Sequence, residues 1–310
     1  MAAGARTIPA RSSGPLAWVG RHRFELALIA PLVVYVTVLT IAPIFDTIRI
    51  SLLGEDGAFT TDNYGRIFGQ QVFRQAVVNT VIVALVSLTL ELTVGLAIAL
   101  ALNAKFFGRG FVRTVTLIPL GVPTIVSGAV MLLLFGSSGY LNSIFGFVVD
   151  LFNKIPGVEM QFRGIDWTIT GGLRTLFTIA IADMWKVLPV ITLIFLAGLQ
   201  SIPEDVYEAA DVDGATKWQR FSRVTLPLLI PYITIALILR AIDAFRIFEL
   251  ALVLSGRIEP VLGTYIWNQY APPTSNPFTS AAASIVLFGI IMVFIIIYLR
   301  VVARRGDVQL

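Results

Sequence analysis

Six long apolar runs, separated by shorter polar stretches, set the pattern of the chain. They span approximately Leu26–Ile48, Ala76–Leu102, Val112–Phe135, Thr175–Leu199, Leu228–Leu250 and Ala281–Val302. Each is long enough to cross about 30 Å of hydrocarbon, which takes roughly 20 helical residues. In hydrocarbon every backbone polar group must be paired within the segment, so the runs predict helices. Pro31, Pro43, Pro119, Pro123 and Pro189 interrupt these runs, and a membrane bundle tolerates them because neighbouring helices satisfy the freed carbonyls. Pro189 frees the carbonyl of Trp185 and predicts a kink there. Gly95, Ala97, Ala99, Ala101 and Ala104 in the second run predict close helix approach.

Between the runs the chain is polar. Residues 1–24 form an Arg-bearing leader with Arg6, Arg11, Arg21 and Arg23, expected to be cytoplasmic and followed by a six-helix domain over 25–305 and a short tail over 306–310. The longest connection, 136–174, contains Tyr140–Asn153, whose apolar spacing suits an amphipathic interfacial helix. Residues 271–277 read as a stiff turn before the last run.

Composition agrees with an all-α polytopic membrane protein. Of 310 residues, 56% are hydrophobic and 14% charged, with a mean hydropathy of +0.84, against about a quarter charged in soluble domains. The absence of cysteine and the single histidine, His22, exclude disulfides and thiolate chemistry and leave no basis for a His-based triad or metal cluster. The net charge of +4 is distributed as loops would have it rather than as a nucleic-acid patch. With the N-terminus inside, 13 Lys and Arg fall on one side (among them Lys105, Arg109, Arg113, Lys217, Arg220 and Arg223) and 7 on the other. Positive residues favour the cytoplasmic side, so both termini and the stretch between runs four and five are expected there. No lysine follows a glycine, so the chain has no P-loop.

Ionisable residues within the runs are the candidate chemistry, because each costs about 2.5–3.5 kcal/mol to insert and so faces a cavity or a partner. Run five carries Arg240, Asp243, Arg246 and Glu249 at steps of three, a spacing that allows pairing along one helix. Run four carries Asp183 and Lys186 in the same relation, beside Trp185. At 1.5 Å per residue both groups fall between the outer surface and the midplane. Two readings stay open: the pairs lock helices together, or they line a cavity in which Trp185 and Phe245 stack on a sugar while Asp243, Arg246, Asp183, Lys186 and Glu249 bond its hydroxyls. Glu91 in run two stands as an isolated carboxylate with a helix-packing role.

The stretch Tyr207–Pro227, charged and flanked by two apolar runs, reads as two short helices around a bend at Asp213-Gly214. Its residues Glu208-Ala209-Ala210, then Gly214 after three positions, then Val224, Leu226 and Pro227, resemble the cytoplasmic loop of binding-protein-dependent ABC importer permeases, with Val where Ile is usual. Arg240–Glu249, Trp185-Lys186 with Pro189, and Gly198-Leu199 with Ile202-Pro203 and Asp205 are similar to carbohydrate-uptake members of the maltose and trehalose type. The resemblance implies a type I permease fold in a bacterial or archaeal cytoplasmic membrane. It implies that Glu208, Ala209, Ala210, Asp213, Gly214, Ala215, Leu226 and Pro227, within a loop spanning 204–227, couple the chain to two copies of an ATPase subunit. ATP and Mg would be bound by those partners and not by this chain. A second homologous permease, a heterodimeric core and an extracytoplasmic sugar-binding protein complete the implied machine, and the substrate would be a di- or oligosaccharide. Within the same family, polyols and glycerol phosphate compounds use similar permeases. A proton-coupled secondary transporter acting through Asp183, Asp243 or Glu249, and a membrane enzyme, are the competing classes.

Overall fold

The computed structural model describes residue 19 and residues 22–304 apart from Pro156 and Ile169. The expected leader, all but its last few residues, and the expected tail lie outside the described residues. The helices in chain order are α1 (Arg23–Ser51), α2 (Asp62–Gly69), α3 (Gln71–Asn103), α4 (Arg109–Leu117), α5 (Thr124–Phe135), α6 (Tyr140–Phe152), α7 (Gly172–Ser201) and α8 (Glu204–Val212). They continue with α9 (Lys217–Phe245), α10 (Glu249–Ser255), α11 (Leu262–Tyr270) and α12 (Pro277–Arg304). Among the described residues, six helical segments are long and apolar enough to cross a membrane.

The chain forms two compact units that divide between Ile50 and Ser51. The first is the α1 rod. It passes through Pro31 and a π-helical turn at Thr37–Ile41, and large apolar side chains such as Leu32, Tyr35 and Leu39 are exposed along it.

The second unit is built on α3 and α7, which pack along most of their length. On α3 the buried positions recur every three or four residues, from Phe73 and Thr80 through Ser87 and Glu91 to Gly95, Ala99 and Leu102, the period of one helix face. Lipid tails are as apolar as leucine, so helices in a bilayer gain little by burying apolar surface and associate by close packing and polar bonds. Gly95 supplies the first: a Cβ there would lie 2.7 Å from Cγ2 of Ile191 on α7. Gly198 does the same between α7 and α9, where a Cβ would stand 2.6 Å from Cγ of Tyr232 and 2.8 Å from Cδ2 of Leu229.

Two expected spans change shape. The run Val112–Phe135 is not one helix. Pro119 sits in a single 3-10 turn over Ile118–Gly121, and Val122 is extended at φ −89°, ψ 127° before Pro123, as the residue preceding a proline prefers. The apolar stretch long enough to cross is then Thr124–Phe152, which takes in the amphipathic segment assigned to the interface. The run Leu228–Leu250 also breaks: α9 ends at Phe245, Arg246 to Phe248 are non-helical, and α10 begins at Glu249. Pro189, by contrast, is carried within an uninterrupted α7.

The segment after α10 is pinned by a buried carboxylate that, among the described residues, pairs with no cation. Glu259 accepts from Asn79 Nδ2 at 2.9 Å, from Gln75 Nε2 at 3.3 Å and from the backbone N–H of Gly172. It thereby satisfies the first donor of α7, which has no partner within its own helix. α11 is tied to α2–α3 by the N–H of Leu262 on Thr80 Oγ1 at 2.7 Å and the Tyr265 hydroxyl on Gln70 Oε1 at 2.7 Å. Burial pushes the Tyr265 phenol up to about 12, so it stays a neutral donor.

The glycine contacts give a direct test of close packing. Gly198→Ala is expected to lower unfolding stability in detergent by about 1–3 kcal/mol through overpacking against Tyr232 and Leu229. Gly289→Ala on α12, where a Cβ meets nothing within 4 Å, is expected to be neutral or slightly stabilising through helix propensity. Equal shifts in the two variants would show that the approach of α7 to α9 does not depend on the missing side chain.

Candidate functional site

Three helices meet at one guanidinium. Arg240 on α9 donates from Nε and Nη2 to the two oxygens of Glu91 on α3 at 2.8 and 2.7 Å, and from Nη2 to Asp183 Oδ2 on α7 at 2.8 Å. Ser87, one turn before Glu91, lies 2.8 Å from Glu91 Oε1 and 2.5 Å from Asp183 Oδ2. Its single proton serves one carboxylate at a time. All four side chains are buried. The fork-to-fork pairing of Arg240 with Glu91 is the strongest geometry available to such ions, and it offsets a desolvation cost of several kcal/mol per charge.

This arrangement keeps one expected pair along a single helix, Arg240 with Asp243, and replaces the others. Arg240 is 3.7 Å from Asp243 on its own helix and makes its short bonds elsewhere. Among the described residues Arg246 and Glu249 make no ion pair, because the helix ends between them. Lys186 does not pair with Asp183; it donates to the carbonyls of Val122 and, at 3.5 Å, Pro119. Those carbonyls belong to the break between α4 and α5, so Lys186 ties the break to α7. Glu91 is not isolated but the main partner of Arg240. The signal for it was present: a lone carboxylate in an apolar helix implies a cation on another helix.

Next to this network lies a cavity of about 320 Å³ lined by Asp183, Lys186, Arg240, Asp243, Arg246 and Glu249, with Thr124 and Phe248 in its wall. The structure therefore gathers the five candidate ionisable residues of runs four and five around one space. It places the two candidate aromatic residues elsewhere. Phe245 is 2% exposed and packs in the core with Phe73 and Leu262, and Trp185 packs against the cluster of Leu176 and Ile179. The ring at the cavity is Phe248. The end of α9 at Phe245 turns Phe248 towards the cavity, and continuous helical spacing could not show that.

The second candidate region is a rigid helix–turn–helix. α8 ends in a Schellman turn: Ala215 N–H donates to Ala210 O at 3.0 Å, and Gly214 N–H to Asp211 O at 3.1 Å. Gly214 has φ +75°, the left-handed conformation that glycine adopts without strain. α9 then opens with a capping box between Thr216 and Gln219. Arg220 Nη1 reaches both Asp211 oxygens at 3.0 Å and lies 5.5 Å from the centre of the Tyr207 ring, so the two arms of the turn are cross-linked. Ala210 is buried within the turn, Ala215 and Leu226 are half-buried, and Glu208, Ala209, Asp213, Gly214 and Pro227 are exposed. Sequence reasoning passed over two large apolar side chains here, Val212 and Trp218, which are 87% and 72% exposed.

Charge pairing at Arg240 makes a testable expectation. Arg240→Leu leaves Glu91 and Asp183 buried without compensation and is expected to cost about 3–5 kcal/mol in denaturant unfolding of the detergent-solubilised protein. Combining it with Glu91→Gln and Asp183→Asn should recover a large part of the loss. A triple variant no more stable than Arg240→Leu would assign the loss to packing instead of charge.

Comparison with known proteins identifies the family. Residues 91–306 match the family model described as binding-protein-dependent transport system inner membrane component. The trehalose/maltose transport system permease protein MalF of Thermococcus litoralis is 37% identical over 291 residues, covering 90% of this chain and 94% of that protein. The trehalose transport system permease protein SugA of Mycobacterium tuberculosis is 32% identical over 246 residues, covering 77% and 75%. A crystal structure of a bacterial alginate ABC transporter, in complex with a periplasmic protein bound to alginate pentasaccharide, contains a chain of the same fold. Its TM-score is 0.79 at 20% identity, covering 94% of this chain and 98% of that one. From the glycine-capped turn to the six apolar helices, this chain belongs to the family of binding-protein-dependent inner membrane transport components, the permease subunits of ABC importers.

Proposed function

We propose that the chain is the permease half of an importer for a neutral di- or oligosaccharide of the trehalose or maltose type, and that the cavity beside Arg240 holds the sugar in transit. The observation that carries this reading is the charge balance of the lining. Asp183, Asp243 and Glu249 face Lys186, Arg240 and Arg246, so the wall has no net formal charge yet is dense in donors and acceptors. Such a wall suits a solute with many hydroxyls and no charge. A glycerol phosphate compound would need a free pair of cations. Arg240 is held by Glu91 and Asp183, and Lys186 by backbone carbonyls, which among the described residues of the lining leaves Arg246 alone. The family match also sets aside the proton-coupled reading, and the intramembrane carboxylates then serve pairing and substrate contact.

Energy enters from outside the chain. On this reading the turn around Glu208–Gly214 docks on a partner ATPase, two copies of which bind ATP and Mg, while a second homologous permease and an extracytoplasmic binding protein complete the assembly. Both termini and the turn face the cytoplasm. A stiff turn suits this work because movement imposed on it is not absorbed locally: the Schellman bonds, the capping box and the Asp211–Arg220 pair leave few soft torsions between α7 and α9. Trp218 supplies an exposed anchor of the kind interface hot spots use, with the exposed Val212 in the same turn.

Two measurements test the reading. In the reconstituted complex, sugar-loaded binding protein should stimulate ATP hydrolysis. Gly214→Pro, which cannot adopt φ +75° and loses the donor to Asp211, should cut that stimulation by roughly fivefold or more, the lower end of ordinary coupling energies. No ATPase co-purifying with the chain, and uptake driven by a proton gradient, would sink the importer reading. Trp218→Ala should weaken assembly with the ATPase by about 2 kcal/mol, read from dissociation constants in detergent; unchanged affinity would move the docking surface elsewhere.

A further inference from the structure

Beside the charged cavity lies a second space, of about 230 Å³, lined by Phe248, Gly263, Ile266, Trp267, Tyr270 and Ser280. Phe248 belongs to the walls of both. From it two more rings follow in series: the centres of Phe248 and Trp267 are 5.9 Å apart with planes inclined at 53°, and those of Trp267 and Tyr270 are 6.5 Å apart at 43°. The rings are tilted, not stacked, so their faces are not spent on one another. Trp267 is 48% and Tyr270 62% exposed. Among the described residues neither the Trp267 indole N–H nor the Tyr270 hydroxyl makes a hydrogen bond. The series is therefore a set of open aromatic faces with free polar tips, ending at the space where the charged groups converge.

The placement of these rings is built in. Gly263 lets α11 touch the break after α9: a Cβ there would lie 2.5 Å from the carbonyl oxygen of Ile247 and 3.2 Å from Cβ of Phe248. Ser280 Oγ donates to Ile266 O at 3.1 Å, fixing α11 against α12. With Leu262 and Tyr265 anchored on Thr80 and Gln70, the helix carrying Trp267 and Tyr270 is held from three sides.

We infer that Tyr270, Trp267 and Phe248 form a sugar-conducting aromatic slot, a binding subsite through which the saccharide passes ring by ring into the charged cavity. Sugar rings present an apolar C–H face and a rim of hydroxyls. Trp and Tyr offer the complementary pair, an apolar body and a polar tip. The slot has room for a pyranose ring, and its rings follow one another at spacings that let successive sugar units transfer without leaving a surface. This inference rests on the sugar-import reading above.

The test uses the whole complex, with ATPase, second permease and binding protein, in proteoliposomes, with trehalose, maltose and maltotriose as probes. The readout is sugar delivered per ATP hydrolysed, because a sugar that is not held after handover escapes while the hydrolytic cycle continues. Trp267→Leu is expected to lower that ratio several-fold, most for maltotriose, and Trp267→Phe to restore it. Gly263→Val, which pushes α11 off Phe248, should act in the same direction. Wild-type complex that moves the sugars, with an unchanged ratio in Trp267→Leu, would overturn the slot alone. So would a variant that fails to assemble but keeps its ratio in the complexes that do form, for then the rings are a protein interface. Wild-type complex that moves none of the three sugars would sink the sugar reading and the slot with it.

Discussion

A charge buried in a medium with no water must find its partners within the protein, and Arg240 is where this fold meets that requirement. Apolar burial, which drives soluble folding, gives helices in lipid little reason to prefer one another over acyl chains. Direction comes from groups that cannot be left alone. Arg240 takes two buried carboxylates, Glu91 and Asp183 need a cation, and the arrangement that satisfies them brings α3, α7 and α9 to one point. Gly95 and Gly198 then let the same helices close to contact distance. Small residues permit the approach, and the ions specify which faces meet.

The two helices that meet α3 at Arg240 are also the helices on either side of the α8 turn. α7 ends at Ser201, α8 begins at Glu204, and α9 starts at Lys217 after the capped bend. A displacement of the turn thus acts on the two elements whose ionised side chains line the cavity. The cross-links within the turn and the ion cluster between the helices leave compliance to the breaks: the Pro119–Pro123 segment held by Lys186, and the gap between α9 and α10. Arg246 to Phe248 in the second of these line the cavity, and so does Thr124, the residue that follows the first.

What the sequence disclosed and what it hid divide along the line between local and non-local physics. The six apolar runs and the turn at Gly214 were legible because length, hydropathy and a left-handed glycine act within a few residues of themselves. The gathering of run-four and run-five charges into one region was legible from depth alone. Their partners were not. Steps of three along run five suggested pairing within the helix, yet an oppositely charged group on a neighbouring helix, approached head-on and away from water, outcompetes an adjacent turn. Phe245 and Phe248 could be told apart only once the helix was known to stop between them. Similarly Pro119 and Pro123 looked like tolerated kinks, but two prolines four residues apart remove enough donors to end the helix. Trp267 and Tyr270, in a stretch read only as connection, drew no notice.

The balanced lining of the cavity has an electrical consequence. Moving one elementary charge through a membrane potential of 100 mV involves about 2.3 kcal/mol. An uncharged solute passing a wall of three anionic and three cationic groups carries none of that work in either direction, so on the sugar reading membrane voltage neither assists nor opposes the solute itself. The transporter would then concentrate its cargo equally well in an energised and a depolarised cell, as long as the partner's nucleotide supply lasts.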